Sequence, residues 1–250
     1  DHRDLHSFPT RRSSDLIKQR GIEKEFWMHQ DEKGNWVPNY VIKSPRECKS
    51  IVVKPEDLKY RVLMIHKDKK DLKGTNVLKY IQQGESKGYH LRPISALCKG
   101  WNDLGKREPG TLLVAMIQAY RHIVFYNPSR VFPDHNLFEI LIGDGDKKRK
   151  ENLLTAYLSS ASTMLAKELV GRSYGGGSGP LKLEGVDIER IPVMQTRGIS
   201  NSEAMRVLDK FKAFQGNSLQ DTFAELNASS PEEVSLDKVK PDRRELDKIV

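Results

Sequence analysis

A chain of 250 residues carrying 42 Lys and Arg against 34 Asp and Glu, a balance of +8, with 37% hydrophobic and 8% aromatic residues, is long enough to bury a core and too apolar to be disordered. No run approaches the roughly 18 consecutive apolar residues that span a bilayer, and the polar start lacks a secretory apolar segment, so neither a membrane-spanning nor a secreted protein is expected. Two cysteines, Cys48 and Cys98, with no CxxC or Cys/His cluster, build neither a disulfide framework nor a structural zinc site, and a reduced cytoplasm is the expected setting.

The first segment in chain order reads as a foreign one rather than as a targeting peptide or a basic nucleic-acid arm. HSFPTRRSSDL, His6 to Leu16, is similar to the translated sequence of a common sequencing adapter, so residues 1–16 are expected to be an adapter-derived artefact, disordered, with the natural N-terminus missing. Three Arg and three Asp balance within it, leaving the whole +8 to the rest. That charge is regional: residues 41–150 hold 22 basic and 12 acidic side chains, 17–40 balance, and 151–250 sum to −2. A localised positive excess is what a surface meeting polyphosphate needs, although a solvated basic face produces the same count.

Short runs rich in β-formers fill the basic region: Ile51 to Lys54, Arg61 to His66, Leu112 to Ile117, His122 to Tyr126 and Leu137 to Ile142. They are bounded by Pro, Gly and Asn, with one helix predicted from Asn76 to Gln83. After Asp146, a helix cap, the residues Leu153, Leu154, Tyr157, Leu158, Ala161, Leu165 and Leu169 recur at three or four. This predicts one amphipathic helix closed by Gly171. A glycine loop, a strand from Leu181 to Glu184 and a turn at Ile191 and Pro192 follow. Ser202 to Phe214 predicts a second amphipathic helix, and the polar tail from Ser229 ends in a helical RRELDKIV. The fold class is α+β, a mixed sheet followed by amphipathic helices. The division is 17–143 as a recognition domain, 144–198 as helix, glycine loop and closing strand, and 199–250 as a truncated helical segment.

Three glycine or turn features invite a cofactor reading. Gly143-Asp144-Gly145-Asp146 lies between a strand and a helix, but lacks a third glycine and is acidic where phosphate would approach; a tight turn and helix cap explain it. Gly175-Gly176-Gly177-Ser178-Gly179 has no GK[ST] after it and is not a P-loop, so its bare backbone serves either phosphate contact or close chain passage. Asn127-Pro128-Ser129-Arg130 departs from the Asn-Pro-Pro-aromatic motif at its last two positions and reads as a turn. No histidine stands in an HExxH or HxE context and no serine in GxSxG, and Cys98 reads as a small core residue, so no catalytic or metal-ligating set is expected.

What remains is a group of residue types suited to DNA: Arg92, Lys99, Trp101, Lys106, Arg107, Tyr120, Arg121, Arg130 and Asn136. Arg pairs with guanine or phosphate, Asn with adenine, and aromatics stack on bases or fill a core; for Trp101 and Tyr120 both roles stay open.

At this point the order of elements resembles a known family. NPSRVFPDHNLFEI (127–140), the helix after it, and YGGGSGPLKLEGVDIERIPV (174–193) are similar to the target-recognition and C-terminal part of adenine-specific DNA methyltransferases from restriction-modification systems. KYIQQGESKGYHLRPISALCKGWNDLGKREPGTLLV (79–114) is similar to their upstream segment, and PDRRELDKIV (241–250) resembles the opening of their closing helix. The resemblance covers residues 22–250. It implies a partner, double-stranded DNA, and places Gly175, Gly176 and Gly177 where the recognition domain packs beside the DNA cleft. It further implies methyl transfer from S-adenosylmethionine to the exocyclic amine of a flipped adenine by an N-terminal catalytic domain whose motifs this chain lacks. No cofactor is expected on the chain itself, and a restriction nuclease is a possible companion or fusion. The alternative is a stand-alone specificity or scaffold module working with a separate catalytic subunit.

Overall fold

The structure, a computed structural model, describes residues 17–31, 33–97, 100–106, 108–118, 122–143, 146–175, 179–196 and 198–250. The adapter-like segment 1–16 lies outside them. The chain divides into two compact units: one runs to Lys43 and resumes from Leu58 to Glu108, the other takes Ser44–Asp57 and Pro109–Val250. The expected α+β class holds, with the strands distributed over several small sheets.

In the first unit, β1 (Met28–Gln30) and β2 (Trp36–Pro38) form a hairpin, and β3 (Tyr40–Ile42) pairs with β4 (Tyr60–Arg61), both antiparallel. The run predicted as a strand to His66 is regular only at Tyr60–Arg61. Beyond it the chain stays tied by single bonds, Val62 N–H to Asn39 O at 2.8 Å and Met64 N–H to Phe26 O at 2.8 Å. Helix α1 (Asn76–Ser86) overlies the predicted helix and extends it by a turn. Its start is over-determined. Thr75 accepts the Leu78 N–H, and the distant Glu23 carboxylate accepts those of Asn76 at 2.6 Å and Val77 at 3.2 Å. Burial alone would raise the Glu23 pKa, but these backbone donors outweigh it and hold the carboxyl below its ordinary value. Gly88, in the left-handed region at φ 74°, ends the helix before a turn at Tyr89–Leu91, and α2 (Pro93–Leu97) follows. Ile17, Ile22, Phe26, Ile65, Leu72, Val77 and Ile81 make the core of this unit.

The second unit is built on β5 (Leu112–Ala115), buried at every position, with β6 (Ile117–Gln118) just after it. β7 (Val124–Tyr126) flanks β5 on one side. A short β8 (Phe132–Pro133) precedes β9 (Leu137–Ile140), which flanks β5 on the other; both pairings are antiparallel. The predicted strand Ile51 to Lys54 appears as a parallel bridge, Val52 to Tyr126, with Tyr126 N–H donating to Ile51 O and Val53 N–H to Tyr126 O, so this part of the sheet is mixed.

The long helix predicted after Asp146 is two. Asp146 does cap α3 (Lys147–Leu158), accepting the Arg149 N–H, but the chain breaks at Ser159 and Ser160 and restarts as α4 (Ala161–Val170). Adjacent serines compete for backbone partners: Ser160 accepts the Thr163 N–H as a cap, and the orphan Ala161 N–H is taken by Asp247 at 2.8 Å. The restart turns the helix, so the expected apolar stripe is wrong beyond Leu158: Thr163 and Lys167 face inward, whereas Leu165 and Leu169 are 61% and 77% exposed. Lys167, wholly buried, donates to Leu158 O at 3.3 Å. Arg243, from the C-terminal helix, donates to Ser159 O at 2.7 Å. Two cations therefore close the carbonyl end of α3, where the helix dipole favours them. Burial, with the Arg243 charge nearby, lowers the Lys167 pKa to about 7.

β10 (Arg172–Ser173) and β11 (Leu181–Lys182) extend β6 into a second antiparallel sheet. Gly171 closes α4 as predicted, because a Cβ there would lie 2.5 Å from Leu181 Cδ1. A turn of helix, α5 (Gly185–Ile188), leads to α6 (Asn201–Gln215), which starts with a Ser200/Glu203 capping box. α7 (Thr222–Leu226) and α8 (Pro241–Ile249) complete the unit. Leu153, Ala156, Ala204, Val207, Phe211, Phe214 and Leu246 pack α3, α6 and α8 together with Ile51.

Candidate nucleic-acid interface

Sorting the charges by unit sharpens the regional count. Residues 17–43 and 58–108 hold 17 basic and 9 acidic side chains, while 44–57 and 109–250 hold 22 of each. The whole excess of +8 belongs to the first unit. Lys67, Lys69, Lys70 and Lys73 are exposed around the turn of 3-10 helix at Lys69–Leu72, directly before α1. Lys67 reaches Glu25 at 3.7 Å, Lys70 its neighbour Asp68 at 3.5 Å, and Lys69 pairs with Glu85. Burial would raise the Glu85 pKa, but Lys69 and the Trp101 indole N–H outweigh it and lower it. Exposed pairs of this kind contribute little to folding and leave the lysines able to exchange carboxylate for phosphate.

The same unit interleaves cations with rings. Arg20 lies over Tyr80 at 4.9 Å from the ring centroid, Lys24 over Trp36 at 4.8 Å, Lys67 over Phe26 at 5.4 Å and Arg92 over Tyr89 at 4.6 Å. Arg61 touches both Trp27, at 5.5 Å, and Tyr40, at 5.6 Å. Cations held over rings and near solvent suit backbone contact and base stacking. Of these residues only Arg92 stands out in the sequence. The others come from segments scattered before residue 92, and the fold brings them into one body.

The residues singled out by sequence divide between the units. Arg92 ends the turn after α1. Lys106 is exposed in the loop beyond Trp101. Trp101 packs on the first core, its indole N–H 3.1 Å from Glu85 Oε1, and approaches α1 so closely that a Cβ at Gly84 would lie 2.6 Å from its ring. Of its two open roles, the geometry shows the packing one, in a half-buried ring. In the second unit, Arg130 adopts φ 50° and gives its guanidinium to Pro109 O at 3.1 Å and to the buried Glu151 at 3.4 Å. The turn containing it is held by the buried Asn127, whose side chain donates to Gly110 O and Val131 O and accepts the Val131 N–H, in keeping with its reading as a turn. Asn136 occupies the turn before β9, where its carbonyl accepts the Met116 N–H at 2.9 Å. Gly175 follows β10 with φ 88°. Lys99, Arg107, Tyr120, Arg121, Gly176 and Gly177 lie outside the described residues.

Among the described residues no cluster of His, Cys, Asp or Glu could hold a metal ion, and no helix is long and apolar enough to cross a membrane. At the end of the Gly143–Asp146 loop the Asp146 carboxylate already accepts the Arg149 N–H in the first turn of α3, where an anionic ligand would bind.

The model of one protein family, "Type II methyltransferase M.Eco57I, C-terminal domain", matches residues 40–228, more than half of the chain. No curated protein matches it. Among solved structures, one described as the type IIG restriction endonuclease BpuSI is similar in fold, with a TM-score of 0.52 at 15% identity. The similarity covers 94% of this chain and 27% of that one, so the present chain spans about a quarter of that enzyme's length.

Proposed function

This chain belongs to the family of the Type II methyltransferase M.Eco57I C-terminal domain, and from that membership we propose that it is the DNA-recognition part of a site-specific adenine methyltransferase of a restriction-modification system. The observation that carries the reading is the segregation of charge: an excess of eight cations confined to one compact unit, in which lysines, arginines and aromatic rings alternate. A balanced protein with eight extra solvated lysines would spread them over both units.

In this reading the first unit tracks the phosphate backbone, and the second supplies the frame that joins it to a catalytic domain. That domain binds S-adenosylmethionine, whose methyl group goes to the exocyclic amine of an adenine swung out of the duplex. The residues of the present chain hold the duplex in register for that reaction and bring no group to the transferred methyl. Calorimetry with S-adenosylmethionine is expected to give no heat of binding; micromolar affinity would assign the cofactor to this part. A restriction nuclease, fused or separate, fits the same system, and the cytoplasm is where its DNA lies.

The experiment that tests the reading is a salt titration. The chain should bind duplex DNA in the micromolar range expected of non-specific contact, with log affinity falling by about 0.9 per log unit of salt for each phosphate neutralised. Absence of binding at low salt would leave the chain a scaffold rather than a reader.

A further inference from the structure

We infer that Trp36, carried on the β1–β2 hairpin, is a base-stacking residue: its indole lies against a nucleobase exposed in single-stranded or locally opened DNA. The inference rests on the DNA-recognition reading above and deepens it by naming a contact.

The hairpin is built to hold a side chain outward. Its turn is fastened by Asp31, whose carboxylate accepts the N–H groups of Lys33 at 2.9 Å and Asn35 at 2.8 Å, while Asp31 N–H donates to Asn35 O at 2.9 Å. Those donors, that of Asn35 foremost, keep the Asp31 carboxyl ionised below its ordinary pKa. Gly34 takes the left-handed conformation the turn requires, at φ 78°. The far end is anchored by the buried Asn39, which donates its N–H to Trp27 O at 2.8 Å and meets His29 through its side chain, also at 2.8 Å. Register places Trp36 opposite Gln30 at the last pair before the turn. Period-two alternation would let a tryptophan there turn inward, yet Trp36 is 41% exposed.

At that exposure a large part of the ring meets water. Lys24 lies over it, with Nζ 4.8 Å from the ring centroid, and the hairpin belongs to the unit that carries all of the net positive charge. A hydrophobic protein partner would have to desolvate the Lys24 ammonium held over this ring. A nucleic acid meets the same arrangement with phosphate on Lys24 and a base on the indole, so charge complementarity selects it. Phenylalanine could stack as well; lysine alone could not.

The test compares Trp36→Ala, Trp36→Phe and Lys24→Gln in the full chain, using a fluorescein-labelled mixed-sequence single strand and its duplex over a range of salt. Trp36→Ala should weaken single-strand binding by roughly 5- to 100-fold, the span of one lost stack, with the salt slope unchanged; Trp36→Phe should stay within a few-fold of the parent. Lys24→Gln should instead flatten the single-strand slope by about 0.7. Circular dichroism of each variant should match the parent. Binding by the parent with Trp36→Ala within about twofold of it overturns this inference alone, as does a Trp36→Ala effect that appears only as a change of slope. A parent chain that binds neither probe overturns the DNA reading itself, and this inference with it.

Discussion

The unit made of residues 17–43 and 58–108 and the unit made of 44–57 and 109–250 keep their charged side chains for different purposes. In the first, cations lie over rings or pair with exposed carboxylates, as Lys67 does with Glu25 and Lys70 with Asp68. In the second, the informative cations are half-buried or buried, and structural. Arg130 neutralises Glu151. Arg243, 4% exposed, donates to Ser159 O, pairs with Asp247 at 3.0 Å and lies over Phe214; Lys167 is wholly enclosed. A count of arginines and lysines therefore says little about a binding surface until the fold has separated those in use inside from those left outside.

The largest expected effect breaks or upholds that separation directly. Replacing Lys67, Lys70 and Lys73 with Gln should cost on the order of a hundredfold or more in duplex affinity near 0.1 M salt and lower the salt slope by about 0.9 for each lysine that contacts phosphate. The matched set in the second unit, Lys147, Lys148 and Lys212, should change either quantity far less. Equal losses from the two sets, read by fluorescence anisotropy, would erase the distinction between the units.

Next comes pH. Because the Lys167 pKa is lowered on folding to about 7 from its ordinary 10.5, the unfolded chain holds more protons than the folded one between those values. Stability should thus rise with pH across that window, by an amount on the order of a few kcal/mol, and the cost of burying the charge is full below about pH 7. Chemical denaturation of Lys167→Met from pH 7 to 10 should show a flatter dependence than the parent; an unchanged slope would mean that the ammonium is solvated.

Arg130→Ala should destabilise the second unit by about 1 to 3 kcal/mol, since it removes the guanidinium beside the buried Glu151, which also accepts from the Tyr126 hydroxyl at 3.4 Å. Its salt slope for DNA should match the parent's. A flattened slope with intact stability would return Arg130 to the DNA surface. Smaller still, Gly84→Ala should lower the melting midpoint of the first unit through the Trp101 ring, by the equivalent of about 1 to 2 kcal/mol. Affinity for DNA at a temperature where that unit remains folded should be kept.

How much of this was legible in the sequence depends on distance along the chain. Local signals carry the cap at Asp146, which accepts the Arg149 N–H, and the cap at Thr75, which accepts that of Leu78, while Gly171 and the Asn76 helix are reinforced from further off by Leu181 and Glu23. The break at Ser159 and Ser160 was missed because the 3.6-residue apolar period continues through it. Only Asp247 and Arg243, more than eighty positions away, supply the partners that make a restart better than a continuous helix. The candidate interface was half legible. Its charge was visible as a regional excess, but the boundaries were blurred by residues 44–57 and 109–150, which fold into the balanced unit. Trp36 and Arg61 carry no motif, and the pairing of Trp36 with Lys24 and of Arg61 with Trp27 and Tyr40 exists only in three dimensions.

That assignment of Ser44–Asp57 to the second unit also bears on how such a protein could change what it reads. The main chain passes between the units three times, after Lys43, Asp57 and Glu108, so no single cut in the gene separates the basic unit from its frame. A crossover after Asp57 or after Glu108 carries the 44–57 segment away from the strand it pairs with, where Val52 and Val53 lie along Tyr126. Exchange of specificity between relatives by recombination would thus need a double crossover bounding residues 58–108, whereas point substitution within that insert can proceed one residue at a time.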